Sequence, residues 1–417
     1  MAPRTRTQVI SEPPAPAPAA PPAAEAKASE AADKQRWNPT SLTWSEHYSE
    51  GMEKGWARVP GTLKKILVTL AVFTMGLAMS GDWVVILVHL RRQLGLDPIP
   101  ESLPPATTLR SFIDTRFKDF THFWIWSNIV SYSLYFGIGG FLHWYFYVRQ
   151  RASAAEWKCQ PNSWLSTDLE LHEIKLGSLS LLCTGSFSSV LACWIYNGGW
   201  SSVYYDWDAY GAAWFFLQVP VIFLYQDYVT YLLHRAYHTP WLYKHFHKLH
   251  HKYKHPTAFS VTAIHPVEVL HIQITLCLPL FAFPTHWATF YTIALYTYYH
   301  GIIDHSGINF KAYWWQPWQP DAIFHDNHHQ YFHVNFGFNC WVWDKLHGTY
   351  RRKDRVYTED TFYGRGKALT DATQEELAQD LKERISENPR AYRNDNMEFA
   401  LSEEEVKNMK QKSSSRR

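Results

Sequence analysis

The chain has 417 residues with 40 basic against 38 acidic side chains, and neither this balance nor any basic-aromatic recognition motif points to nucleic acid. Aromatics make up 17% of it, including 20 Trp and 25 Tyr, which favour places where an apolar ring and a polar atom face different media, as at a membrane interface. The mean hydropathy of −0.30 resembles a soluble protein, but it averages polar ends with a very apolar middle.

In chain order, residues 1–36 form a Pro/Ala-rich tail with almost no large apolar side chains, which reads as disordered. No apolar stretch follows Arg4 and Arg6, so the tail does not read as a cleaved signal peptide. A first span is expected over 67–90, where Asp82 is the one charged residue; its length suffices to cross a bilayer core of about 30 Å. Further spans are expected over 123–147, 176–196 and 212–233, and no Lys or Arg lies between Lys175 and Arg235. The apolar stretch 269–303 carries Pro279 and Pro284 near its middle and suits a helical hairpin that enters and returns to one side. Beyond 352 a soluble tail is expected, with a capping box at Thr373 and Glu376 opening a helix whose apolar stripe is Leu377, Leu381 and Ile385. The cysteines (Cys159, Cys183, Cys193, Cys277 and Cys340) are scattered without paired spacing and read as reduced, mostly buried thiols.

The expected fold is therefore an all-α integral membrane protein with about four transmembrane helices, a helical hairpin and a cytosolic catalytic cap. Its parts are the tail 1–36, a membrane region 37–210, a catalytic domain 211–352 and a C-terminal tail 353–417. Positive charges set the orientation. Lys64, Lys65, Arg149, Arg151 and Lys175 flank the early spans, and Arg235, Lys244, Lys248, Lys252 and Lys254 follow the fourth. The positive-inside bias puts both termini and every histidine cluster on the cytosolic face, although the 91–121 loop, on the other side, holds five basic residues against four acidic.

Seventeen of the 22 histidines fall between His234 and His347. They sort into three boxes: His234 and His238 (HxxxH), then His247, His250 and His251 (HxxHH), then His325, His328 and His329 (HxxHH). Residues three and four apart share a helix face, so each box is expected to aim its imidazoles at a common point. The neutral ring is the commonest nitrogen ligand for iron, zinc and copper, and eight such ligands exceed what one ion needs but suit two. A lone histidine is more often packing than ligand, yet two HxxHH strings beside an HxxxH coincide on the order of once in ten thousand such chains. His172-Glu173 lacks the second histidine of a zinc protease, and no deaminase motif, phosphate loop or nucleophile elbow is present.

The boxes in this order resemble the fatty acid hydroxylase/sterol desaturase superfamily of membrane di-iron oxidases. The resemblance extends to Trp241-Leu242-Tyr243, to His265-Pro266 with Glu268, to Asp304-His305-Ser306-Gly307, and to Asn335-Phe336-Gly337 with Trp343-Asp344-Lys345 and Gly348-Thr349. It covers about residues 220–352 and is closest to sterol hydroxylases, C4-methyl oxidases and C5-desaturases. The resemblance implies that the eight box histidines are metal ligands and that His305 is a ninth. Members with a larger ligand set carry a histidine four residues before that position, where this chain has Gly301; His300 or His265 are the open alternatives for completing the second site.

An unactivated C–H bond is too strong for a side-chain base, so a metal-based oxidant is needed, and its loss of one or two hydrogens separates hydroxylation from desaturation. The expected function is O2-dependent oxidation of a lipid, a sterol in the leading reading, by two irons, with zinc as the alternative metal in a structural form. The alternatives are a fatty-acyl or other lipid hydroxylase and a non-catalytic zinc protein of the membrane. No flavin or nicotinamide fingerprint is present, and the resemblance implies electrons from NAD(P)H through a reductase and cytochrome b5 at the endoplasmic reticulum membrane. Asp227, two helical turns before His234, is the expected carboxylate supporting the ligands; Asp304 and Asp326 are weaker candidates, and Asp344 is expected to anchor a turn.

Overall fold

The computed structural model describes residues 43–97, 107–160, 164–313, 316–332 and 334–350, with Thr373 and Glu375. The N-terminal tail and the helix expected after Thr373 thus lie outside the described residues. The chain divides into two units at Pro60. In the first, the described element is helix α1 (Thr43–Ala57), which is polar overall.

The described residues of the second unit are mostly helical. In chain order come α2 (Gly61–Ser80), α3 (Trp83–Gln93), α4 (Leu109–Arg116), α5 (Phe120–Leu134), α6 (Thr167–Tyr196), α7 (Ala212–Tyr237) and α8 (Pro240–His245). After these come α9 (Pro266–Cys277), α10 (Trp287–His305), α11 (Ile323–Tyr331) and α12 (Val342–His347). By length and composition, α2 and α6 are long and apolar enough to cross a membrane.

The single helix expected over 67–90 is broken. Gly81 turns the chain between α2 and α3 at φ +71°, and a Cβ there would lie 2.8 Å from the Cα of Gly185. A residue without a side chain permits both the left-handed turn and this close approach to α6. The second expected span begins at α5 and runs on through wider π-helical turns at Tyr135–Gly139 and Trp144–Arg149. The third starts nine residues earlier than its apolar run, because Ser166 accepts from the Leu169 N–H and Asp168 and Glu170 occupy the first turn.

Small buried residues on α6, among them Gly177, Ser180, Thr184, Gly185 and Ser188, let its neighbours come close. α5, α3 and α9 pack along it, while α2 and α7 pack on α10. Val72, Met75, Met79, Leu181, Ile302 and Ile303 form one apolar core between these helices. Two of the basic residues in the 91–121 segment have structural work. Arg92 donates to the carbonyls of Ile195 and Tyr196, and Arg116 to those of Asn197 and Gly198, so both offset the negative end of α6.

Strand β1 (Val203–Tyr204) pairs in parallel with β2 (Thr285–His286). The pair lies beside the N-terminal ends of α7 and α10. The first histidine box and His305 lie at the C-terminal ends of those helices, about a helix length away.

Candidate metal centre

Four pieces of backbone deliver the box histidines. His234 and His238 close α7, His247, His250 and His251 ride a tight 3-10 turn (His247–Lys252), His305 ends α10, and His325, His328 and His329 lie on α11. All nine expected ligands meet there, and eight are buried outright, with His234 partly so.

They form two groups. His234, His238, His247, His251 and His328 make one; His250, His305, His325 and His329 make the other, and within each group the ligand atoms lie within 4.8 Å of one another. Each HxxHH box therefore serves both groups, against the expectation of one common point per box. The outer pair, His247 with His251 or His325 with His329, goes to one group, and the middle histidine crosses to the other. Adjacent residues on a helix point about 100° apart, so the two members of an HH pair cannot face one centre.

Hydrogen bonding settles which nitrogen faces inward. The Nδ1–H groups donate to carbonyl oxygens, which can only accept: His234 to Phe336 (2.9 Å), His305 to Gly301 (2.8 Å), His328 to Val334 (2.7 Å) and His250 to Ala263 (3.3 Å). His247 Nδ1 meets Glu268 Oε1 at 2.6 Å. This tautomer leaves Nε2 as a lone-pair donor. The Nε2 atoms of His238, His247 and His251 lie 3.0 to 3.1 Å apart pairwise, with His328 Nε2 at 3.2 Å from that of His251. His325 and His305 approach through Nε2 at 2.9 Å.

Three ring nitrogens in a mutual triangle cannot all be matched by one another, since a neutral ring has one N–H to give. Nitrogens about 2.0–2.1 Å from one ion would stand about 3 Å apart along an octahedral edge, which matches these spacings. His329 adds an independent sign, since both its ring nitrogens are buried without a hydrogen-bond partner. Burial and the facing imidazoles push His250, His251, His325, His328 and His329 well below the usual imidazole range, which keeps the rings neutral. Neutral, converging and otherwise unmatched nitrogens fit two cations.

The remaining candidates have other places. His265 joins neither group and caps α9, its Nδ1 accepting from the Val267 N–H at 3.2 Å. His300 is also outside both groups and faces Asp304, 3.3 Å away on the same helix. At Gly301 a Cβ would come within 2.6 Å of Phe338 Cζ, so this ring takes the space a side chain there would need.

Asp227 is buried, but its oxygens accept from the Asn339 N–H (2.8 Å) and Trp343 Nε1 (2.6 Å). Asp344 accepts from the Phe336 and Gly337 N–H groups and from Thr349, anchoring the turn as expected. Together they hold the 335–344 segment, whose Phe336 carbonyl orients His234. Asp326 accepts from Gln160. The carboxylate that meets one of the nine histidines is Glu268, on His247, which the sequence marked through its HPxE string without assigning it a role. Glu268→Gln is expected to weaken metal binding about 10- to 100-fold, read by competition with a chelator of known affinity.

Residues 219–349 match the fatty acid hydroxylase family. Among curated proteins, the chain is 33% identical over 155 residues to a probable Delta(7)-sterol 5(6)-desaturase of Neurospora crassa, covering 37% of this chain and 44% of that one. It is 29% identical over 184 residues to a Delta(7)-sterol 5(6)-desaturase of Candida glabrata, 44% of this chain and 50% of that one. It is 30% identical over 155 residues to lathosterol oxidase of Rattus norvegicus, 37% of this chain and 52% of the relative. The matches thus span about half the length of these relatives. No solved structure matches the chain.

Proposed function

We propose, from the match of residues 219–349 to the fatty acid hydroxylase family, that the chain is a membrane oxidoreductase that uses two irons and O2 to oxidise a sterol. The observation that carries this reading is the division of nine histidines into two groups whose ring nitrogens converge within 4.8 Å of one another. When bound, the iron pair supplies the oxidant that C–H cleavage requires. His234, His238, His247, His251 and His328 would hold one ion, and His250, His305, His325 and His329 the other.

The chain's own residues do the positioning. Glu268 and the carbonyls of Phe336, Val334, Ala263 and Gly301 fix the tautomer and plane of five rings. Asp227 and Asp344 act through the 335–344 segment, so Asp227 is a positioning residue at one remove from the metals. Phe332, Phe336 and Tyr243 wall the five-histidine group with apolar rings that exclude water. The names of the relatives favour desaturation of the sterol ring system over hydroxylation, a distinction that the ligands do not make.

The proposed arrangement in the membrane has four spans (α2 with α3, α5 with its continuation, α6 and α7) followed by the α9–α10 hairpin. The β1–β2 pair supports it, because it ties the hairpin tip to the loop after α6, away from the histidines. Both termini and the metal centre then face the cytosol, in the endoplasmic reticulum. Lys248 and Lys252 are exposed beside the second box, where an acidic cytochrome b5 carrying electrons from NAD(P)H and its reductase would dock. Reversing both charges is expected to slow cytochrome b5-supported turnover, most at low ionic strength; an unchanged salt profile would remove the docking idea.

The functional reading is tested by lipid profiling of a deletion strain complemented with wild-type or His329→Ala protein. The wild type should remove an accumulated sterol and form one with an added double bond, and the variant should not. A sterol profile that neither deletion nor complementation changes would sink the reading.

A further inference from the structure

A cavity of about 130 Å³ lies among α2, α6, α9 and α10, and its walls are almost wholly apolar, with Met79, Val269, Ile272, Leu276 and Ile302 among them. The hydroxyls beside it are turned into the protein. Thr184 donates to the Met79 and Leu181 carbonyls, Ser180 to that of Ile264, Thr262 to that of Phe259, and Tyr298 to Asp82. A wall that offers water so few partners suits hydrocarbon, and a dry cavity of about 150 Å³ accommodates one benzene ring.

Gly301 and the half-buried Phe338 line the cavity on its side toward the metal centre. The Phe338 ring stands 6.2 Å from the ring of His305 and 6.4 Å from that of His325, both of the four-histidine group. Phe336, two residues earlier, faces the other group, 5.0 Å from His238 and 5.4 Å from His328. The tip of the Phe338 ring rests on bare backbone, since a Cβ at Gly301 would meet its Cζ at 2.6 Å and its Cε1 at 3.2 Å. The main chain on each side of Phe338 is pinned by a buried carboxylate. Asp344 accepts from the Gly337 N–H at 2.6 Å, and Asp227 from the Asn339 N–H at 2.8 Å. Burying two carboxylates is costly, and these bonds fix where the ring stands.

We propose that Phe338 is a positioning residue for the substrate, its ring forming the partition between this cavity, where one ring of the sterol sits, and the four-histidine group. The inference rests on the sterol reading and deepens it, because it names the group of histidines that the substrate faces. A space of this size takes a single ring, and the rest of the lipid extends outward among the helices. Apolar contacts are non-directional, so the shape of the wall, rather than any bond to it, decides which carbon lies nearest the metals. Phe338 sets that shape, and the missing side chain at Gly301 is what lets its ring lie there.

The test measures lathosterol binding and turnover by the detergent-purified full chain, with metal content as the check on folding. Gly301→Ala adds one methyl group where the Phe338 ring rests, and so displaces the ring. It is expected to weaken lathosterol binding about tenfold while both metals stay. Phe338→Leu removes the ring tip; it is expected to bind lathosterol as the wild type does but to lower kcat by about 10- to 100-fold. In the Phe338→Leu background Gly301→Ala should weaken binding no further, because no ring is left to displace. Unchanged binding in Gly301→Ala, the same loss in both backgrounds, or an unchanged kcat in Phe338→Leu overturns the assignment while the sterol reading stands. If these variants lose metal, Ile272→Trp decides. It fills the cavity from α9, a helix that carries none of the nine histidines, and is expected to abolish lathosterol binding with both metals kept. Binding retained in that variant removes the cavity as the seat of the substrate, and the inference with it. Wild-type protein that binds no lathosterol removes the sterol reading as well.

Discussion

Replacing His329 with alanine is expected to reduce turnover to background and to lower the bound metal from two ions per chain to one. His329 is one of four histidines in its group, and neither of its nitrogens has a hydrogen-bond partner. Without it, that group keeps three nitrogens, while the five-histidine group is untouched. No side chain can take over C–H cleavage, so losing one ion of the pair removes the reaction rather than slowing it. His238→Ala should have the smaller effect on metal content, because it leaves four nitrogens in its group, as many as the other group has intact. His245→Ala is the control: its ring is exposed and its Nδ1 meets the Trp241 carbonyl at 2.7 Å, so metal content and turnover should not change. Elemental analysis of the purified variants checks all three. Two ions retained in His329→Ala would contradict the assignment of ligands to groups.

The second large effect concerns which metal is bound. Zinc accepts the same imidazoles but has no redox chemistry. Zinc-loaded protein is therefore expected to fold as well as the iron form and to show no sterol-dependent O2 uptake, with activity returning on exchange for iron. Stripping both ions should lower thermal stability substantially. An ion present at about 1,000 times its Kd stabilises the folded state by about 4 kcal/mol, and here the buried nitrogens would also lose their partner. Thermal melting and O2 uptake on the same samples separate the two effects. Equal activity with zinc would exclude an oxidative role for the site.

The histidines of the three boxes could be singled out in the sequence because histidines three and four apart fall on one side of a turn whatever the surrounding fold. Their division could not. It depends on how α11 and the 247–252 turn face each other, and a pattern local to each box carries no such information. The same holds for His265 and His300, which differ from the ligands by what they meet: a helix N-terminus for one, Asp304 for the other. Asp227 stood out as a costly acid in an apolar helix, yet its partners come from a segment more than 100 residues downstream. Apolar runs located the helices, but not the turn at Gly81, which exists because α2 and α6 touch there. Nor did they reveal the two polar turns that open α6.

The most direct test of the central claim is a single-turnover assay. Detergent-purified protein is loaded with iron, reduced, supplied with lathosterol and exposed to O2, and the sterol product is identified by mass. The account predicts an O2-dependent product that is two hydrogens lighter, formed in proportion to chains carrying two irons. Tightly held zinc that iron cannot replace, with no product from the fully reduced protein, would contradict it.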